Sequence, residues 1–368
     1  MIVNFDNAAT TYPKPAGVRQ AVERAVLTCG SAGRGGHPLA ARSSAVVYAA
    51  REEAASLFGA QPEHAVLTSN CTHALNIAIQ GICAGGGHVV VSHLEHNSVL
   101  RPVYALAREG RIRYSIARVS TNDAQTVENF ARCIRPDTVA VICTLCSNVT
   151  GQILPWREIA SLCKARGICF IADGAQACGV LDVQLSDGIN ILCTAGHKGL
   201  YGITGTGLLV TDGQFELPPL LHGGSGSLSN LPEMPGMLPD RLEAGTLGVI
   251  GAASLTAGIR FVKRRGIGNI FAHESALCDR LIRLLRKKAN VTVYREPEGH
   301  YAPIVSFNVA GVPCEEVAGK LAAHGFCLRA GLHCAPLAHH VLQSGGTVRF
   351  SPSVFSTMKD VERMAALL

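Results

Sequence analysis

No stretch of this chain approaches the roughly 18 consecutive apolar residues that a membrane-spanning helix needs. No basic run carries the interleaved aromatics of a nucleic-acid surface. The nearest, Lys263-Arg264-Arg265 and the stretch from Arg280 to Lys288, read as solvated helix faces. The net charge, 33 minus 27, is +6, which is mild for 368 residues. The opening Met1-Ile2-Val3-Asn4-Phe5-Asp6 lacks the basic and apolar regions of an export signal. Metal spacing is also missing. Cys143-Thr144-Leu145-Cys146 has no second pair to complete a zinc set, and Cys143 falls inside an apolar run, so no metal is expected. Gly202-x-x-Gly205-x-Gly207 precedes a strand and opens no helix, which excludes a dinucleotide fingerprint. There is no internal repeat and no low-complexity tract. A cytoplasmic protein that binds neither nucleic acid nor membrane is expected.

What is present is an ordinary folding composition, 48% hydrophobic and 16% charged, with length enough for one large and one smaller unit. Fourteen cysteines are many. Most lie in apolar runs such as Val141-Ile142-Cys143 and Gly167-Ile168-Cys169-Phe170-Ile171, where cysteine acts as a small hydrophobe; they form no disulfide framework.

From Ala65 to about Val210, short apolar runs alternate with amphipathic stretches. Strands are predicted at 65–69, 88–92, 111–116, 138–144, 168–172, 190–194 and 207–211. Helices are predicted at 72–82, 98–109, 123–134 and 156–165. That rhythm means an α/β fold with a mostly parallel seven-stranded sheet covered by helices on both faces. Ligands then bind beyond the carboxyl ends of the strands. The region 217–240 reads as an irregular loop. Helices at 248–265 and 269–288 lead into a smaller α+β unit with strands at 291–294, 304–309 and 347–350 and helices at 314–324 and from 357. The expected division is 1–15, an N-terminal active-site segment; 16–250, a large cofactor-binding domain; and 251–368, a small domain.

Two polar residues stand out. Asp173 follows one apolar strand, and Lys198, in Gly196-His197-Lys198-Gly199, follows the next. An amine and a carboxylate so presented are what pyridoxal phosphate chemistry requires. The lysine holds the cofactor aldehyde as a Schiff base, and the carboxylate pairs with the pyridinium nitrogen. Thr72, His96 and Asn148 also follow predicted strands and converge on the same sheet edge.

Several segments, in this order, carry a resemblance. They are Phe5-Asp6-Asn7-Ala8-Ala9-Thr10-Thr11, Glu95-His96-Asn97-Ser98-Val99, Ser147-Asn148-Val149-Thr150-Gly151, Asp173-Gly174-Ala175-Gln176, Gly196-His197-Lys198-x-Leu-Tyr-Gly, Glu243-Ala244-Gly245-Thr246 and Arg329-Ala330-Gly331-Leu332-His333-Cys334-Ala335. The chain resembles the class V aminotransferase fold group, and within it the second group of cysteine desulfurases. The resemblance implies the type I fold of pyridoxal phosphate-dependent transferases. It implies conversion of L-cysteine to L-alanine, with sulfur taken up by Cys334 as a persulfide and passed to an acceptor protein or small thiol.

It also implies roles. Lys198 would hold the cofactor and move protons, Asp173 would hold the ring nitrogen, and Gln176 would hydrogen-bond the ring oxygen. His96 would stack on the ring and help in proton transfer, although the same residue also suits a cap on the helix beginning near Ser98. Thr72 with Cys71 beside it, and His197, would meet the phosphate; Thr246 would reach the phosphate of a neighbouring subunit, implying a homodimer. Arg349, supported by Arg329, would fork onto the substrate carboxylate. Asn148 would bond the ring oxygen or that carboxylate, and Asn7 and Ala8 would line the substrate site.

Three departures from the family pattern bear on these roles. Ala195 stands where a phosphate-binding serine is usual, so Thr194 or backbone groups must compensate. Cys71 replaces a hydroxyl residue, and Leu332 replaces a histidine near Cys334. Selenocysteine lyase activity uses the same apparatus and a better leaving group. Another class V aminotransferase or β-lyase would not need Cys334. A thiol-rich metal or sulfur carrier would not need Lys198 or Asp173.

Overall fold

The computed structural model describes residues 2–33 and 35–368; Met1 and Arg34, which fall within the first two expected units, lie outside the described residues. The chain opens with β1 (Val3–Asn4), α1 (Ala16–Thr28) and α2 (Pro38–Phe58). α2 starts with proline in its first turn and stops at Gly59, whose φ of 72° continues no helix. The alternating region follows: β2 (Ala65–Thr68), α3 (Cys71–Ile82), β3 (Gly87–Ser92), α4 (Asn97–Arg108), β4 (Ile112–Ala117), α5 (Asp123–Cys133), β5 (Thr138–Thr144), α6 (Trp156–Lys164), β6 (Cys169–Asp173), β7 (Ile191–Ala195) and β8 (Gly207–Thr211). All seven strands fall within a residue or so of the predicted runs.

They form one sheet in the order β2-β8-β7-β6-β5-β3-β4. Only β8 runs against the others. Side chains of successive residues point to opposite faces. On β6, Phe170 and Ala172 enter a core shared with α2, α5 and α6, while Cys169 and Ile171 enter one shared with α3 and α4. A sheet buried on both faces explains why its strands read as unbroken apolar runs. Fully burying a side chain such as Phe170 contributes about 1.5–3 kcal/mol.

After an irregular stretch, α7 (Val249–Arg265) packs on α1 and α2. A Cβ on Gly258 of α7 would lie 2.1 Å from the Leu200 carbonyl oxygen, so only glycine lets this helix approach the segment after Lys198. Then come α8 (Ile267–Leu285), β9 (Val291–Val293), β10 (Val305–Val309), α9 (Cys314–Ala323), β11 (Phe326–Cys327), β12 (Arg329–Gly331), α10 (Pro336–Val341), β13 (Thr347–Phe350) and α11 (Met358–Ala365). β12, β13, β10 and β9 form an antiparallel sheet. β1 pairs in parallel with β11. Phe5 joins the core of this second sheet, with its ring 4.6 Å from that of Phe350. The N-terminal segment is therefore stitched onto the C-terminal sheet, which brings Asp6, Asn7 and Ala8 beside the end of β13. No helix among the described residues is long and apolar enough to cross a membrane.

Candidate active site

Because β2, β3, β5, β6 and β7 share a direction, the residues that follow them emerge at one edge of the large sheet. Asp173 ends β6 and is buried. Its Oδ1 accepts the backbone N–H of Ala175 at 2.9 Å and the Cys71 thiol at 3.5 Å. Lys198 follows β7, and its Nζ makes no ion pair among the described residues. Burial lowers its pKa below the usual lysine value. Cys71 and Asp173 oppose that shift, while Arg349 and Arg329 add to it. An amine in such surroundings is more easily freed of its proton than a surface lysine.

His96 precedes α4 as its N-cap. Nδ1 accepts the Ser98 N–H at 3.0 Å and meets the Ser98 hydroxyl, which leaves Nε2 and the ring faces unused. The cap expected as one alternative is thus present. Burial lowers the His96 pKa, with Asp173 opposing it and Lys198 and Arg349 adding to it, so the ring is neutral at physiological pH. Behind it Glu95 is fully buried. Its Oε1 accepts the Ser92 hydroxyl at 2.5 Å and the Thr144 N–H at 2.9 Å, tying the ends of β3 and β5 together. Its Oε2 has no partner. Burial pushes this carboxyl up to about 8, so it carries a proton at neutral pH. Glu95 appears in a motif but spacing gave it no role; its signal was a carboxyl set between two strand ends.

The second half of the site comes from the smaller sheet. Arg349 on β13 is buried. Its Nη1 donates to the Asn148 carbonyl at 3.0 Å and its Nη2 to Asp6 Oδ1 at 3.1 Å, while Nε is buried without a partner. Asp6 Oδ2 accepts from Nε of the exposed Arg329 at 3.1 Å. Nothing in the spacing of Asp6 links it to an arginine 343 residues away.

Cys334 sits on the turn after β12. His333 and Cys334 both adopt positive φ, 49° and 57°, a strained choice for non-glycine residues. Three hydrogen bonds hold the turn. Asn148 Nδ2 donates to the His333 carbonyl at 2.6 Å, the Asn97 N–H donates to the Cys334 carbonyl at 2.7 Å, and His333 Nε2 lies 3.0 Å from both the Thr347 carbonyl and hydroxyl oxygens. Burial, aided by Arg349, lowers the His333 pKa to about 3, so this anchor is uncharged. Among the fourteen cysteines Cys334 alone is exposed. Leu332, two residues earlier, is exposed as well.

The remaining expected residues divide. Gln176 Nε2 donates to the Ala8 carbonyl at 3.0 Å. Asn7 donates through its side chain to the Ser351 carbonyl at 2.9 Å, and Ala8 N–H donates to the Ser351 hydroxyl at 2.9 Å. Asn7, Ala8, Gln176 and Lys198 line one cavity. Thr72 is exposed in the first turn of the twelve-residue α3, where unpaired N–H groups favour an anion. His197 Nδ1 is buried without a partner, and burial lowers its pKa to about 4. Cys71 turns towards Asp173 instead of lying beside Thr72. The Thr194 hydroxyl, expected to compensate for Ala195, is buried and donates to the Gly174 carbonyl at 3.2 Å, so that role falls to other groups. Thr246 is exposed and makes no hydrogen bond to these residues among those described. Its loop is anchored by Glu243, which pairs with Arg51 at 2.6 Å and accepts the Leu67 N–H at 2.6 Å.

The chemistry of this arrangement is specific. An unpaired amine beside a buried carboxylate suits a ligand with an electrophilic carbon and a basic nitrogen; the start of α3 suits that ligand's anionic group. A buried guanidinium suits a carboxylate, and an exposed thiol stands on a fixed turn beside it.

Comparison with known proteins agrees with this. The model of the family described as aminotransferase class-V matches residues 3–364. A probable cysteine desulfurase of Methanothermobacter thermautotrophicus is 30% identical over 374 residues, covering 98% of this chain and 93% of its own. The apo structure of a cysteine desulfurase from Thermococcus onnurineus superposes with a TM-score of 0.92 at 29% identity, covering 100% of this chain and 93% of the other. The crystal structure of an Escherichia coli cysteine desulfurase in its S-sulfonic acid form gives 0.89 at 26% identity, with the same coverage.

Proposed function

The chain belongs to the class-V aminotransferase family, and from that premise we propose that it is a pyridoxal phosphate-dependent cysteine desulfurase, converting L-cysteine to L-alanine and taking the sulfur on Cys334. The residues present fit the cofactor. Lys198 offers an amine without an ion-pair partner, Asp173 a buried carboxylate, and Thr72 with the N-terminus of α3 a place for phosphate. His197 Nδ1 is an orphaned donor or acceptor beside the lysine. When bound there, pyridoxal phosphate supplies an electron sink for the substrate's α-carbon.

The chain's own groups do the rest. Arg349 and Arg329 hold the substrate carboxylate. Lys198, whose pKa burial lowers, removes the α-proton as a neutral amine and returns a proton later. His96, neutral and fixed through Nδ1, has Nε2 free to hold a proton. The Cys334 thiolate attacks the substrate sulfur. A sulfur–sulfur bond forms, the carbon–sulfur bond breaks, and its electron pair stays on the carbon, which takes up a proton to become the methyl group of alanine. Cysteine plus thiol thus gives alanine plus persulfide.

One observation carries the reading. The single exposed thiol stands on a turn that Asn148 joins to Arg349 and that Asn97 joins to His96. An aminotransferase or β-lyase has no use for that construction. The relatives are named for cysteine desulfuration, so cysteine is the substrate proposed.

The same reading makes the protein a cytoplasmic homodimer, with Thr246 reaching the partner's phosphate, that passes sulfur to a protein or small thiol. It also includes the division into 1–15, 16–250 and 251–368; the core around Phe5, Phe307 and Phe350 supports a separate smaller unit, while α7 packs on α1 and α2 of the larger one. The test is alanine release from L-cysteine by protein loaded with pyridoxal phosphate. Release by the wild type and a loss on the order of a thousandfold in Cys334→Ala is expected; equal release by both contradicts the reading.

A further inference from the structure

Asp6 is held more firmly than a surface aspartate. The flanking Phe5 carbonyl accepts the Ser351 N–H at 2.8 Å, and the Asn7 N–H donates to the Ser351 carbonyl at 3.2 Å. Asp6 itself bridges to Ser351, and its carbonyl accepts from Ala9 at 3.1 Å. These bonds fix its backbone beside the end of β13. From this fixed place it takes Nη2 of Arg349 on one oxygen and Nε of Arg329 on the other, each at 3.1 Å. The Asn148 carbonyl takes Nη1. Of the five N–H donors of Arg349 these contacts take two; among the three left, the Nε–H is buried and unpaired. A buried charged donor without a partner is unfavourable until a ligand meets it. A carboxylate bound side-on is the group that would meet the Nε–H. Two guanidiniums less one carboxylate leave a single positive charge, which one carboxylate neutralises.

We propose that Asp6 is a positioning and specificity residue, which turns the Nε edge of Arg349 towards the substrate and limits the pocket to monocarboxylate ligands by cancelling one of its two guanidinium charges. The inference rests on the reading that Arg349 binds the substrate carboxylate. Without Asp6 the two arginines form a doubly charged pocket matched to a dicarboxylate.

The experiment is calorimetric titration of cofactor-loaded protein with propionate and with succinate, for wild type, Asp6→Asn, Asp6→Glu and Arg329→Gln. Asp6→Asn should move the affinity ratio towards succinate by about tenfold or more, the effect of one charge-assisted contact. Asp6→Glu should keep the wild-type ratio. With L-cysteine, Asp6→Asn should raise KM about tenfold while kcat changes less. If Asp6→Asn does not fold, Arg329→Gln, altered on an exposed side chain, should weaken both ligands about tenfold. An unmoved ratio in folded Asp6→Asn, unmoved affinities in Arg329→Gln, or no binding to wild type overturns the inference. Carboxylate binding does not need turnover. A shifted ratio without alanine release would therefore end the desulfurase reading alone, and alanine release with an unmoved ratio would end this inference alone.

Discussion

Two cysteines border the active site and are set in opposite ways. Cys71 is buried at the start of α3, donates to Asp173 and has its thiol pKa raised well above the usual value by burial and by that carboxylate. Cys334 is exposed, on a turn of positive φ held by hydrogen bonds to its backbone and to His333. The thiolate is the nucleophile, so a thiol pressed against a carboxylate in a dry core is kept inert. The contrast extends to the halves of the site. The sheet edge with buried Asp173 and Glu95 and half-buried Lys198 is enclosed, suited to holding a group in place. The turn with Cys334 presents one reactive atom to solvent.

The largest test of that contrast is exchange of the two thiols. Cys334→Ala should lower alanine release from L-cysteine on the order of a thousandfold, whereas Cys71→Ser should lower it by about tenfold at most. Both should still bind pyridoxal phosphate and become coloured; Lys198→Ala should not. Equal losses in the two cysteine variants would break the contrast. Alkylation of the native protein, followed by peptide mapping, should modify Cys334 first and leave Cys71, Cys143, Cys169 and Cys193 untouched until denaturant is added.

The turn can be loosened without touching its thiol. Asn148→Ala removes the donor to the His333 carbonyl and should cost about 1–3 kcal/mol in denaturant unfolding. It should also make alkylation of Cys334 faster, because the positive-φ backbone keeps one hydrogen bond fewer. A smaller effect belongs to the rigid half. Glu95 has a folded pKa raised from 4.5 to about 8, so the folded state holds its proton more tightly than the unfolded state. Its contribution is full below pH 4.5 and is lost as pH rises towards 8. Glu95→Gln should therefore flatten the decline of the unfolding midpoint between those pH values; an unchanged slope would show that Glu95 is not protonated in the folded state.

The large sheet was legible because its strands are apolar on both faces and punctuated by polar turns; β5 and β8 coincide with their predicted runs. β1, β11 and β12, of two or three residues, and the six-residue α10 are too short for any period to register. In the candidate site, Lys198 and Asp173 were legible as residue types in glycine-rich or strand-end settings, whereas Cys334 and Arg349 were picked out only by the resemblance of the segments around them. Their partners were not. Asp6 meets Arg349, Asn148 meets His333 and Gln176 meets Ala8 only because separate sheets come together. Cys71 and Thr194 carry donors whose direction spacing cannot give, and both turn inward, to Asp173 and to the Gly174 carbonyl. At the start of α3 Thr72 is exposed instead.

The account turns on where sulfur goes, and mass spectrometry answers that directly. Protein loaded with pyridoxal phosphate is given L-cysteine, quenched by alkylation and digested. The account predicts one extra sulfur atom on the peptide containing Cys334, appearing in step with alanine. Sulfur on Cys71 or another buried cysteine, or alanine formed with no protein-bound sulfur, would contradict it.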